Sequence, residues 1–170
     1  MPEQPLHVKV AASLADSLDA IDQLWATARH DHKEFSWYGP FLGTLVPLIG
    51  EQKVEYVTSA VRPDGESLRF QVVIFTESVH IYSTVLHTAT AELPTIETHA
   101  VSRKSLTKLE AFRGADVFAN SFDRQNWPGH YQVAAHYRDL PPIALPLGRP
   151  SSDASSQLVA FLPSLLTDLG

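Results

Sequence analysis

The chain has 170 residues, of which 44% are hydrophobic and 19% are charged, a composition typical of a folded globular domain rather than of a disordered segment. It contains no cysteine, which excludes disulfides, thiolate metal sites and cysteine nucleophiles. The formal net charge of −6 argues against non-specific binding to nucleic acids or anionic membranes, because such binding requires a clustered basic surface.

The N-terminal part predicts one helix packed on a sheet. We expect residues 1–12 to be loose or to form an edge, and Ser13 to cap a helix that runs through about His32. The apolar stripe of this helix has members three to four residues apart, which are Leu14, Leu18, Ile21, Trp25 and Ala28.

Residues 33–52 predict an apolar extension without regular structure, because glycines and prolines interrupt it repeatedly. Its apolar side chains need cover, so we expect the segment either to fold back near Trp25 and close the core, or to form an exposed surface. Four large side chains have the character of interface anchors, namely Phe35, Trp37, Tyr38 and Phe41. The simplest partner is a second copy, so residues 35–49 predict a surface for a homodimer or another protein.

The middle of the chain alternates apolar and polar residues with the period of β-strands. The clearest stretch, residues 68–86, predicts a hairpin that turns at Glu77 and Ser78. The other predicted strands are residues 53–62, 95–101, 130–138 and 143–147. Residues 106–113 fit a strand or a helix, and their neighbours favour a strand. A short helical turn is predicted at residues 115–120.

The C-terminal part predicts a closing amphipathic helix. Ser151 or Asp153 is suited to cap it, and Pro163 is expected to kink or split it. Its apolar stripe predicts that Leu162 and Leu165 are buried against the sheet.

This order of elements resembles the pleckstrin homology-like superfold, and the strand, turn and strand at residues 101–106 fit it. The resemblance implies a single α+β domain over residues 1–170. Residues 1–52 would form an N-terminal helix and apolar extension. Residues 53–169 would form an antiparallel partial β-barrel of about seven strands with a C-terminal capping helix.

The resemblance implies a non-enzymatic module for protein binding or scaffolding. Lipid-binding members of the superfold carry several basic residues on the first hairpin. Here that hairpin offers only Lys53, Arg62 and Arg69, and three carboxylates oppose them at Glu55, Asp64 and Glu66. We therefore expect no phosphoinositide binding.

Catalytic motifs are absent from the sequence. No nucleophile elbow, phosphate-binding loop, dinucleotide fingerprint or zinc-protease motif occurs, and the histidines, including His30 and His32, do not have reliable ligand spacing. We predict no catalytic residue, metal or cofactor. An alternative remains open: a cone-shaped α+β fold like the NTF2-like group, binding or converting a small molecule. Its acid–base candidates are His80, Tyr82, His99 and His136.

A local excess of positive charge predicts a binding site for a small anion or an acidic partner. It comprises Arg103, Lys104, Lys108 and Arg113, with Glu110 as a local counter-charge. The alternative is an ordinary solvated surface. The longest uncharged run, residues 35–50, is shorter than the roughly 20 residues that a membrane helix needs. With no visible signal peptide, the sequence predicts a soluble cytoplasmic protein without membrane insertion.

Overall fold

The computed structural model describes residues 4–89, 94–114 and 127–169. Within these ranges the chain forms four α-helices and two antiparallel sheets, which confirms the predicted α+β class and the number of strands. The helices are α1 (Leu6–Ile21), α2 (Gln23–His30), α3 (Tyr38–Ile49) and α4 (Ser152–Leu166). The strands are β1 (Val54–Asp64), β2 (Ser67–Thr76), β3 (Val79–Thr88), β4 (Thr95–Ser102), β5 (Leu106–Arg113), β6 (Gln132–Tyr137) and β7 (Ile143–Leu145).

By its contacts the chain divides into two compact units, Met1–Val101 and Ser102–Gly170. The first unit contains α1–α3 and a four-stranded sheet in the order β1-β2-β3-β4. The second contains a three-stranded sheet in the order β5-β6-β7, followed by α4. Residues 1–52 therefore belong to the same compact unit as the first four strands.

The predicted hairpin at residues 68–86 is confirmed as β2 and β3, which pair with Phe75 opposite His80. Glu77 and Ser78 form its turn, although this pair is not among the favoured hairpin turns. The side-chain oxygen of Gln52 accepts hydrogen bonds from the Thr76 hydroxyl at 2.8 Å and the Ser78 hydroxyl at 2.7 Å. The Gln52 side chain, which lies outside the hairpin, therefore stabilises a turn whose own sequence is not a favoured one.

The predicted helix at residues 13–32 is wrong in its bounds, since two helices occupy residues 6–30. Pro5 precedes α1, where a missing N–H costs nothing because the first N–H groups of a helix have no helical partner. Ser13 lies inside α1, and its carbonyl accepts a hydrogen bond from Ser17 Oγ at 2.9 Å. The Asp22 carboxylate accepts a hydrogen bond from the Leu24 N–H at 2.8 Å and so begins α2.

A charged contact joins α1 to α2. Arg29 Nη1 donates to Asp16 Oδ1 at 2.8 Å and to Asp19 Oδ2 at 2.7 Å. These hydrogen bonds raise the pKa of the Arg29 guanidinium above its usual range. The pair of carboxylates therefore orients the last turn of α2 against α1.

The prediction that residues 33–52 lack regular structure is wrong, since Tyr38–Ile49 form α3. Pro40 lies in the first turn, where proline is tolerated, and the helix ends at Gly50, whose φ of 59° favours glycine. The buried members of α3 do have helical spacing, and they are Tyr38, Phe41, Leu42, Leu45 and Ile49.

The core of the first unit is an aromatic cluster between the helices and the sheet. The Trp25 ring stacks on Phe41 with centroids 5.6 Å apart and meets Phe70 of β2 edge-on at 5.0 Å. Trp37 also packs on Phe70, at 4.9 Å. Contacts of α1 with β1 and of α3 with β3 extend this core along the sheet.

In the second unit, residues 106–113 form the strand β5, which confirms the choice of strand over helix. Half-buried and buried residues alternate along β6. Ser151 caps α4 by accepting the Ala154 N–H at 3.1 Å. The helix runs on through Pro163 to Leu166 as one element, so the predicted split does not occur. Leu165 is fully buried, as predicted, whereas Leu162 is half-buried. The helical turn predicted at residues 115–120 lies outside the described residues.

Candidate functional site

The four predicted interface anchors lie in the core of the first unit. Phe35, Trp37, Tyr38 and Phe41 are each at most 4% exposed. Trp25 contacts three of them, with ring centroids 5.6 to 6.4 Å apart. The segment therefore closes the core around Trp25, which is the alternative that the sequence left open. Self-association of the chain stays a prediction, and these four side chains do not provide an exposed surface for it.

One of the four residues of the predicted basic site, Arg103, lies in the interior of the second unit. Arg103 is 3% exposed, and its Nε donates to Asp168 Oδ2 at 2.7 Å. Lys104 is exposed, and Lys108 forms an ion pair with Glu110. The side chain of Arg113 lies outside the described residues. Arg103 thus has an internal role in the second unit, which the sequence did not reveal because Asp168 lies far away along the chain.

The Arg103 side chain makes two further contacts with the end of α4. Its Nη2 donates to Ser164 Oγ at 2.8 Å, and its guanidinium lies 5.4 Å from the centroid of the Phe161 ring. A guanidinium over an aromatic ring gains from the negative face of the π-system. Hydrogen bonds, charge and ring contact together attach the short 3₁₀-helix Arg103–Ser105 to α4.

The acid–base candidates of the alternative fold lie in different environments. His80 is fully buried and stacks on Phe75 at 4.7 Å, and the Tyr82 hydroxyl accepts a hydrogen bond from Gln71 at 2.9 Å. His99 is exposed on β4. His136 lies in the second unit, with its Nε2 2.7 Å from the Glu110 carboxylate. Lys108 and, to a lesser extent, His136 lower the pKa of Glu110.

The first unit contains a cleft with a volume of about 320 Å³, between α1, the end of α3 and the start of β1. Its apolar lining consists of Val10, Leu14, Ile49, Val54 and Val57. None of the four acid–base candidates lines it. The volume is at the lower end of the range for small-molecule sites.

The four-stranded sheet of the first unit has two edge strands, β1 and β4. Every residue of β4 is exposed or half-buried. Ser83 of β3 lies against it, since Ser83 Oγ donates to the Glu97 carbonyl at 3.0 Å and lies 2.7 Å from Thr98 Oγ1. The sequence predicted this strand at residues 95–101 but did not indicate that it would be an edge.

Two features are absent from residues 4–89, 94–114 and 127–169. No cluster of three or more His, Asp or Glu side chains there is suited to hold a metal ion. None of the helices there has the length and apolar character required to span a bilayer. The predicted cytoplasmic location stays a prediction.

The sequence matches no known protein family. It also matches no curated protein. Among solved structures, a distant similarity is found to the hSac2 domain from the human phosphoinositide phosphatase Sac2, with 14% sequence identity and a TM-score of 0.39. The match covers 78% of this chain and 80% of that domain. At this TM-score the similarity carries no argument about function.

Proposed function

We propose that the chain is a non-enzymatic, pleckstrin homology-like module for protein binding or scaffolding, and that the edge of β4 is its contact surface. The order of elements supports the PH-like part. Four consecutive antiparallel strands are followed by three more in a second sheet, and α4 comes after the last strand. The resemblance to the superfold implies that the two sheets form a partial barrel closed by this helix.

The observation that carries the proposal is the exposure of β4. An edge strand presents unpaired backbone N–H and C=O groups, and an extended segment of a partner adds to such an edge by continuing the ladder. Proteins usually protect an open edge with lysine or proline, and Thr95–Ser102 contains neither. Its Thr, Ile and Val residues also favour strand pairing.

The simplest partner is a second copy of the chain, because β4 is complementary to itself. If two β4 strands pair antiparallel with Thr98 opposite Thr98, then Glu97 of each copy lies opposite His99 of the other. Ile96 then lies opposite Ala100 on the other face. A carboxylate accepts a hydrogen bond from an imidazole N–H, so a two-fold dimer gains two such pairs.

The alternative NTF2-like function requires acid–base groups around one pocket. His80 and Tyr82 have contacts within the sheet of the first unit, and the described cleft is lined by other residues. These placements favour the protein-binding proposal.

A charge-swap experiment tests the proposal. His99→Glu places a carboxylate opposite Glu97 in both pairs, and we expect the dimer to weaken roughly tenfold, since each cross-strand pair is worth about 0.2–1 kcal/mol. Adding Glu97→Lys restores opposite charges and should restore the dimer. Sedimentation velocity over the micromolar range measures both effects.

The matched control is Glu66→Lys, which makes the same charge change as Glu97→Lys at an exposed position in the β1–β2 turn. We expect it to leave the dimer unchanged. A wild-type chain that stays monomeric, or a double variant that associates no better than His99→Glu alone, would contradict the proposed surface.

A further inference from the structure

The two titratable side chains of β4 lie on the same face of the strand. Glu97 and His99 are two residues apart, so they point to the same side of the sheet, and both are exposed. Thr98, between them, points to the other side, where its Oγ1 lies 2.7 Å from Ser83 Oγ. A carboxylate and an imidazole therefore lie next to each other on one face of an edge strand.

The titratable and charged groups that face this pair come from β3 and β2, because α1–α3 pack on the opposite side of the sheet. On β3 they are His80, which is fully buried, and Tyr82, which is half-buried. On β2 it is Arg69, whose Nε donates to Asp64 Oδ2 at 3.0 Å. The pKa of Arg69 is raised mainly by Asp64 and to a smaller extent by Tyr82 and Glu97. Asp64, rather than Glu97, therefore binds this guanidinium.

The proposed two-fold pairing of β4 changes the surroundings of the imidazole. His99 of each copy then lies opposite Glu97 of the other copy. Residues directly opposite each other have Cβ atoms about 4.5–5.5 Å apart, whereas residues two apart along one strand are separated by about 7 Å. Pairing therefore brings a second carboxylate to each imidazole, and this carboxylate is closer than the one in its own strand.

We propose that pH regulates the pairing of β4 through His99, and that the dimer is tighter when this side chain is protonated. The inference rests on the proposed function. A protonated imidazole forms a charge-assisted hydrogen bond with a carboxylate, and this bond is stronger than one between neutral groups. The dimer therefore takes up protons as it forms. Its affinity rises as the pH falls through the range in which histidine gains its charge, between about pH 8 and about pH 5.

Sedimentation velocity at about pH 6 and about pH 8, at one ionic strength, tests the inference. We expect the dissociation constant of the wild-type dimer to be about fivefold lower at the lower pH, because two exposed pairs contribute. His99→Gln keeps a hydrogen-bond donor but does not titrate in this range, and Glu97→Gln removes the carboxylate charge. Each of these variants should lose the pH dependence.

The matched control is His7→Gln, at an exposed histidine of α1, and it should keep the wild-type change. It accounts for the general loss of negative charge on acidification, which reduces the repulsion between copies in every variant. If His99→Gln or Glu97→Gln kept the wild-type change, the pH inference would be overturned while the proposed β4 surface would stand. A wild-type chain that is monomeric at both pH values would overturn the proposed surface and the pH inference together.

Discussion

The two units hold their helices on their sheets in different ways. In Met1–Val101, α2 and α3 are attached by large rings, with Trp25 in contact with Trp37, Phe41 and Phe70. In Ser102–Gly170, α4 has buried leucines and, near its C-terminal end, a buried ion pair between Arg103 and Asp168.

Because of this difference, we expect different kinds of mutation to destabilise the two units. Apolar contacts are non-directional and are shared among many atoms, so they respond mainly to the loss of volume. A buried ion pair depends on both partners, and removal of one leaves a charge without compensation. We therefore expect the first unit to respond to truncation of its rings and the second to changes of single charges.

The largest expected effect is in the aromatic core. Trp25→Ala removes a side chain that is fully buried and should lower the free energy of unfolding by about 3–5 kcal/mol. Urea unfolding followed by circular dichroism measures the loss. Trp127→Ala is the matched control, because Trp127 is 51% exposed, and it should stay within about 0.5 kcal/mol of the wild type. If both variants lost the same free energy of unfolding, the aromatic core would not be the main source of stability in the first unit.

The next effect is at the ion pair of the second unit. Arg103→Ala leaves Asp168 without its guanidinium and should cost about 3 kcal/mol, near the lower end for a broken buried pair because Asp168 is near the end of α4. Arg103→Met combined with Asp168→Leu removes both charges and should recover most of that loss in the same urea measurement. A double variant as unstable as Arg103→Ala would show that the charge is not the cause.

A smaller effect is expected at alkaline pH. Burial, with a contribution from the Asp19 carboxylate, raises the pKa of Tyr38 to about 12. An unfolded tyrosine ionises near pH 10, so the stabilising contribution of Tyr38 is complete below about pH 10 and is lost as the pH rises to about 12. The decline is up to about 1.4 kcal/mol per pH unit for this group.

Urea unfolding at a series of pH values tests the contribution of Tyr38. Tyr38→Phe should show a shallower decline between pH 10 and 12 than the wild type. Burial also raises the pKa of Tyr137 in the second unit, so Tyr137→Phe compares the two units directly. If stability declined equally steeply with pH in the wild type and Tyr38→Phe, the ionisation of Tyr38 would not be the cause of the decline.

Local pattern predicted the strands well and the helices less well. The β2–β3 hairpin was predictable because alternation over residues 68–86 is strong, even though Gln52 completes its turn. The sequence of residues 33–52 does not predict α3, because it contains five typical helix breakers, Gly39, Pro40, Gly43, Pro47 and Gly50. The first turn tolerates Pro40 and the helix ends at Gly50, but Pro47 lies inside the helix. Its helical spacing of buried residues was present in the sequence and would have indicated the helix.

The candidate sites depend on contacts between distant segments. The partner of Arg103 lies 65 residues along the chain, so its basic character alone suggested a surface site. The order of strands, which makes β4 an edge, is a property of the sheet and not of any strand's sequence. The cleft requires α1, α3 and β1 together, and no single stretch of the chain indicates it.

Hydrogen–deuterium exchange of the backbone amides, at low and at high protein concentration, tests the proposed contact surface most directly. If β4 pairs with a second copy, the amides of Thr95–Ser102 should exchange more slowly at the high concentration, while those of the central strand β2 stay equally protected at both. Concentration-independent exchange in β4, or new protection confined to residues 35–49, would contradict the β4 surface.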